Sequence, residues 1–198
     1  DGFTKYGPAA GDIELRNAIA KKLELQNNTK YDFENILVTN GAKQAIYNLF
    51  QILLNEGDEV IIPSPYWLSY PQIVKLAGGK PIFLETSPKN GFKIDVEQLK
   101  EKISSKTKFI IINSPNNPTG KVLSENELLE IIEMIRKHDQ INILSDEIYE
   151  LILKNKVNHI PVVSLAKDLE DRIYTVNGFA KGWAMTGWRV GYLAGRKD

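Results

Sequence analysis

Lys181 and Arg189 stand eight residues apart in the segment Val176-Asn177-Gly178-Phe179-Ala180-Lys181-Gly182-Trp183-Ala184-Met185-Thr186-Gly187-Trp188-Arg189-Val190-Gly191-Tyr192. Small and aromatic residues flank the lysine between two apolar runs. That setting predicts a desolvated amine, and desolvation lowers an amine pKa toward the range of a nucleophile. Arg189 is a permanent cation able to grip a phosphate through two parallel hydrogen bonds. Upstream, Ile143-Leu144-Ser145-Asp146-Glu147-Ile148-Tyr149 ends an apolar run on an aspartate, with a tyrosine three positions later. A carboxylate there is costly to bury unless it meets a cation or strong donors. Asp146 therefore either caps the following segment or faces a positively charged ligand atom.

Two further segments have shapes suited to ligands. In Asn113-Ser114-Pro115-Asn116-Asn117-Pro118-Thr119-Gly120, the prolines and glycine set a tight turn. An asparagine before proline is held out of the helical region, so the Asn117 amide can be aimed at a ligand. A plain structural turn accounts for the prolines and the glycine, and less well for the paired asparagines. Val38-Thr39-Asn40-Gly41-Ala42-Lys43-Gln44-Ala45 reads as a strand passing through a glycine into an amphipathic helix. Such a junction gathers unpaired backbone N–H groups and the positive end of the helix dipole, which is how α/β proteins hold phosphate. It is neither a Walker loop nor the GxGxxG fingerprint. Lys43 falls in the first turn, where the dipole disfavours a cation by ~0.3–1 kcal/mol. A nearby anion would offset that cost; the alternative is a solvated surface lysine.

These segments need a frame, and the chain supplies one. Short apolar, β-branched runs at Ile36 to Thr39, Glu59 to Pro63, Pro81 to Glu85, Lys108 to Asn113, Asn142 to Ser145, Ile173 to Asn177 and Gly191 to Ala194 read as seven strands. Amphipathic stretches alternate with them, the signature of an α/β domain with a largely parallel sheet. Leu15, Ala18, Ile19 and Leu23 recur at helical spacing, as do Ala42, Ala45, Ile46, Leu49 and Leu53. The clearest helix runs from about Ser124 to His138, with Ser124 and Glu127 placed as a capping box. All these stripes are assigned to the core. No internal repeat or linker divides the 198 residues, so one domain is expected.

Composition removes several classes of function. Lys and Arg number 25 against 25 Asp and Glu, and no basic stripe stands out, so a nucleic-acid partner is not expected. The absence of cysteine excludes disulfides, thiolate metal sites and a cysteine nucleophile. With only His138 and His159, no metal site is expected. No run approaches the ~18 apolar residues of a membrane span, and the expected location is the cytoplasm.

Taken together and in this order, the four segments resemble the fold-type I, pyridoxal-phosphate-dependent aminotransferases of the aspartate aminotransferase class. The likeness runs from Lys5-Tyr6-Gly7-Pro8, Gly11 and Leu15-Arg16 to Gly191-Tyr192. It implies a three-layer α/β/α sandwich around a mostly parallel, mixed seven-stranded sheet. It implies pyridoxal 5′-phosphate as cofactor, with Lys181 as the Schiff-base lysine, Asp146 paired with the pyridine nitrogen, and Asn117 and Tyr149 on the phenolic oxygen. By the same likeness, Trp67 would stack on the ring, while the backbone at Gly41, Ala42 and Lys43 would hold the phosphate together with Arg189. The resemblance further implies a homodimer, with Tyr6 reaching the partner's phosphate, and a cis Asn117–Pro118 bond.

An L-amino acid and a 2-oxo acid are the implied substrates. Lys43 points to aspartate and glutamate, with Trp67 and Asn117 also lining the substrate site. Aromatic, prephenate and kynurenine aminotransferases share the same core residues, and a lyase, a decarboxylase or a non-catalytic remnant are the other readings. Residues 1–198 would form the cofactor-binding large domain, without the family's N-terminal arm and C-terminal small domain, and so with weak or absent activity alone. One departure stands out: where many relatives carry a phosphate-binding serine three residues before the lysine, this chain has Gly178.

Overall fold

The structure is a computed structural model and describes residues 4–154 and 157–197. Its frame is a seven-stranded sheet formed by β1 (Ile36–Asn40), β2 (Glu59–Ser64), β3 (Lys80–Glu85), β4 (Thr107–Asn113), β5 (Asn142–Asp146), β6 (Ile173–Gly178) and β7 (Val190–Ala194). The spatial order is β1-β7-β6-β5-β4-β2-β3. Pairing is parallel except that β7 runs opposite to both its neighbours, β1 and β6. All seven expected strands form, each within two residues of its expected ends. Their apolar runs face helices on both sides, as buried parallel strands do.

The two faces are covered differently. α2 (Ala42–Leu53) and α3 (Ser69–Leu76) pack on Val60, Ile62, Phe109, Ile111, Leu144 and Val176. α4 (Val96–Lys102), α5 (Glu125–Arg136) and α6 (Val162–Leu165) cover the alternate side chains Ile61, Ile110, Ile112, Ile143 and Ile173. α1 (Ile13–Asn27) lies on this second face beyond them, against Ile36, Tyr192 and Ala194. The result is the α/β/α sandwich that the alternating pattern requires.

Local chemistry sets the helix ends. Asp12 accepts from Leu15 N–H and starts α1, a cap worth about 1 kcal/mol. Ser124 and Glu127 form the expected capping box, and α5 stops at Arg136, two residues short of His138. One detail of the α1 stripe differs from expectation: Ala18 is exposed, and Ala20 joins Ile19 and Leu23 in the core. Arg16 is buried in the same row, where its Nε donates to the Ile36 carbonyl at 2.8 Å and its guanidinium sits 5.2 Å from the Phe33 ring centre. No helix among the described residues is long and apolar enough to cross a membrane.

Candidate active site

Because β7 is reversed, its first residue reaches the same sheet edge as the last residues of the parallel strands. Asn40 pairs with Val190, Gly178 with Gly191, and Asn113 with Asp146. The loops leaving β1, β4, β5 and β6 therefore meet the segment entering β7 at one edge, the usual place for a ligand in an open α/β sheet. A cavity of about 280 Å³ opens there.

Its inner wall is Asp146, 4% exposed at the end of β5. The Tyr70 hydroxyl donates to its Oδ2 at 2.5 Å and the Ile148 N–H to its Oδ1 at 3.3 Å. Burial outweighs both donors and pushes the Asp146 carboxyl up from 3.8 to about 6. Asp146 thus caps the turn that follows it and also lines the cavity.

The loop after β4 divides its work between two asparagines. The Asn116 Oδ1 accepts from the Thr119 backbone N–H and hydroxyl, at 3.1 and 2.7 Å, and so fixes the turn. Asn117 instead directs Nδ2 across the cavity to the Tyr149 hydroxyl at 3.3 Å. Its backbone N–H donates to Asn113 Oδ1 at 2.8 Å, while Asn113 Nδ2 donates to the Asp146 carbonyl at 3.0 Å. Asn113 therefore ties the loop to the strand that carries the carboxylate. The Asn117–Pro118 bond is cis, as expected. Burial and the Asp146 charge push the Tyr149 phenol up, only partly opposed by the Asn117 donation, so it is a neutral hydroxyl at physiological pH.

At the other end of the cavity, Gly41 precedes α2 with φ +76°. It provides no side-chain cap, which leaves the first N–H groups of the helix open. A Cβ on Gly41 would come within 2.6 Å of Arg189 Nη2. Arg189 is itself left-handed at φ +55° and donates to the Thr186 carbonyl at 3.1 Å. Helix N-terminus and guanidinium thus converge, a pairing suited to a dianionic phosphate. Gly178 and Gly191 make the junction possible. A Cβ on Gly191 would lie 2.4 Å from Ala42 N, and one on Gly178 would lie 2.8 Å from Gly191 Cα. The serine missing at Gly178 is thus explained by space: the strands there approach too closely for any side chain.

Lys43 is exposed, with Nζ 5.1 Å from the Trp67 ring centre. An aromatic face offsets the dipole cost of a cation in the first turn. Lys181 lines the cavity with Nζ 6.0 Å from the Tyr149 ring centre. Its expected desolvation is not found: Lys181 is exposed, as are Trp183 and Trp188 beside it. The physical reason is that residues 179–189 form turns and a short 3₁₀ helix on the rim, where Leu151 packs against Gly182 and Gly41 against Arg189, and the Lys181 side chain is left open to solvent.

Ala42, Lys43, Trp67, Asn117, Asp146, Tyr149, Lys181 and Arg189 thus share one cavity, with Gly41 directly behind Arg189. Tyr6 does not join them and is fully exposed elsewhere on the surface. The sequence reading missed Tyr70, Asn113, Ile148 and Ala180, which line the same space. Only Tyr70 carried a signal, its position three residues after Trp67 at the start of a helix.

The sequence profile of the family described as aminotransferase class I and II matches residues 1–198. The chain belongs to the class I and II aminotransferases. Within the family, it is 51% identical over 197 residues to a probable aspartate/prephenate aminotransferase of Rickettsia bellii, covering 100% of this chain and 49% of that one. Identity to an aspartate aminotransferase of Bacillus subtilis is 50% over 198 residues, again 100% of this chain and 50% of the relative. Among solved aminotransferases, the Thermus thermophilus aspartate aminotransferase with maleate superposes with TM-score 0.93 at 45% identity, over 98% of this chain and 50% of that one. An aromatic aminotransferase of Pyrococcus horikoshii superposes with TM-score 0.95 at 43% identity, over 99% and 52%. The chain spans about half the length of the curated relatives it matches.

Proposed function

We propose that residues 1–198 are the cofactor-binding large domain of a pyridoxal-phosphate-dependent aminotransferase, the arm and small domain of the family lying outside this chain. The reading rests above all on one observation: a buried carboxylate with few donors and a lysine amine open onto the same cavity, which ends at a helix N-terminus beside an arginine. The residues present fit the cofactor. Arg189 and the N–H groups of Ala42 and Lys43 suit its phosphate, Trp67 gives an aromatic wall, and Asn117 and Tyr149 suit its phenolic oxygen. Asp146 suits a protonated ring nitrogen, a cation that would offset the burial of its charge.

Pyridoxal phosphate, when bound, supplies an electron-poor ring that takes up the electron pair left as an amino acid loses its α-proton. The chain does the rest. Asp146, ionised, keeps a cation opposite it protonated. Lys181 anchors the cofactor and then, as a free amine, takes the α-proton and returns it one position away, serving as general base and acid in turn. Arg189 and the α2 N-terminus stop the cofactor from sliding, and Trp67 orients it.

L-Aspartate or L-glutamate and a 2-oxo acid are the substrates this reading favours, because Lys43 stands exposed beside Trp67 at the mouth, where a second carboxylate can meet it. The names of the Rickettsia and Bacillus relatives support it. The likeness to the Pyrococcus aromatic aminotransferase keeps aromatic amino acids as the second reading. Tyr6, exposed and away from its own cavity, would serve a second copy in a cytoplasmic homodimer.

The test uses the gene product that carries this chain, loaded with pyridoxal phosphate. Oxaloacetate should form from L-aspartate when 2-oxoglutarate is present, faster than keto acid forms from L-phenylalanine, and Lys181→Ala should abolish both. Tight cofactor binding with no turnover of any amino acid would overturn the reading in favour of a remnant.

A further inference from the structure

We propose that Tyr70 is a positioning residue of this site, its hydroxyl fixing both the orientation and the ionised state of the Asp146 carboxylate. The inference rests on the reading of the cavity as a pyridoxal-phosphate site and names a residue that the sequence motifs leave unassigned. Tyr70 sits in the first turn of α3 and is 1% exposed. Its hydroxyl is 2.5 Å from Asp146 Oδ2, and Trp67 packs edge-on against its ring with centroids 5.3 Å apart. A carboxylate turns freely about its Cβ–Cγ bond unless both oxygens are held. Here the Ile148 N–H holds one at 3.3 Å and Tyr70 the other, by the shorter bond.

Tyr70 is suited to hold a charge without exchanging it. Burial and the neighbouring Asp146 push its phenol well above the ordinary range, so it donates throughout the working pH range. A hydrogen bond to the ionised form favours that form. The other groups around Asp146 do not substitute for it. Asn113 is engaged by the Asp146 carbonyl, and Asn117 and Tyr149 are paired with each other. Lys43, Lys181 and Arg189 are exposed along the cavity, and Glu147, directed to the opposite face of the sheet, raises the Asp146 carboxyl further. One short bond from α3 therefore ties the aromatic wall at Trp67 to the carboxylate at the cavity floor.

The test follows the Asp146 carboxyl by ¹³C NMR in the cofactor-free chain labelled at aspartate, the signal assigned by its loss in Asp146→Asn. Tyr70→Phe, which keeps the ring and its packing, should raise the titration midpoint by about one unit. Site-specific 3,5-difluorotyrosine at position 70, a stronger donor of the same shape, should lower it. An unmoved midpoint in both, or movement in the same direction, overturns the proposal. If Tyr70→Phe fails to fold by circular dichroism, the difluorotyrosine shift alone decides. Pyridoxal-phosphate affinity gives the second readout. Tyr70→Phe should weaken binding about fivefold at pH 6 and leave it nearly unchanged at pH 8.5, as expected when only the ionised fraction is competent. A loss equal at both pH values would mark Tyr70 as packing only and overturn the proposal. Failure of the unaltered chain to bind pyridoxal phosphate would defeat the functional reading, while the NMR shifts would still decide the role of Tyr70.

Discussion

Asp146 and Glu147 are consecutive, both carboxylates, and 4% and 1% exposed, yet they occupy opposite faces of the sheet in opposite circumstances. Glu147 turns toward α1 and α6, where the Ser145 hydroxyl, the Val162 N–H and the Asn27 amide donate to it at 2.8, 3.4 and 3.5 Å. His159 Nε2 stands 3.2 Å from its other side. Glu150, close enough to complete a cluster with Glu147 and His159, is paired with Lys22. Asp146 turns toward the cavity with Tyr70 and one backbone N–H. Burial alone therefore does not mark a functional carboxylate. The mark is burial with donors held back, because the missing stabilisation must come from something that binds.

The contrast breaks most readily through catalysis. Asp146→Asn should lower amino transfer by about 10³-fold, the scale on which proton transfer depends on one placed group. Glu147→Gln should leave the rate within a few fold, and steady-state assays on the two proteins side by side check this. Stability should show the reverse. Glu147→Ala strands the Ser145, Val162 and Asn27 donors and should cost about 3 kcal/mol in urea unfolding. Asp146→Asn should cost nothing in the cofactor-free chain.

The dependence on pH sharpens the same point. The Asp146 carboxyl titrates at about 6 when folded against 3.8 ordinarily, so between those values the folded chain holds a proton that the unfolded chain has lost. Its contribution to stability is greatest below about pH 4 and falls by up to about 3 kcal/mol as pH rises through 6. Cofactor-free Asp146→Asn should lack that decline and be the more stable protein at pH 8, and saturating pyridoxal phosphate should reverse the order. Smallest of all, Asn117→Ala removes one neutral hydrogen bond to Tyr149 and should weaken cofactor binding about fivefold. Equilibrium titration monitored by cofactor absorbance measures it.

Much of this was legible in the residues because its cause is local. The strands announce themselves as apolar runs, the α5 cap as Ser124 and Glu127, and the open N-terminus of α2 as a glycine between strand and helix. Tyr70 was only faintly legible, three residues after Trp67, because nothing local tells that α3 brings its hydroxyl to the end of β5. Nor was the exposure of Lys181, which depends on what lies over residues 179–189 and not on their own composition. Gly178 read as a missing ligand, and only the approach of β7 revealed it as a steric requirement.

Most directly testable is the claim that Lys181 holds the cofactor opposite Asp146. The chain is incubated with pyridoxal phosphate, reduced with borohydride, digested and mapped by mass spectrometry. A single phosphopyridoxyl adduct on Lys181, absent from Lys181→Arg, is the predicted result; an adduct confined to other lysines, or none, would contradict the account.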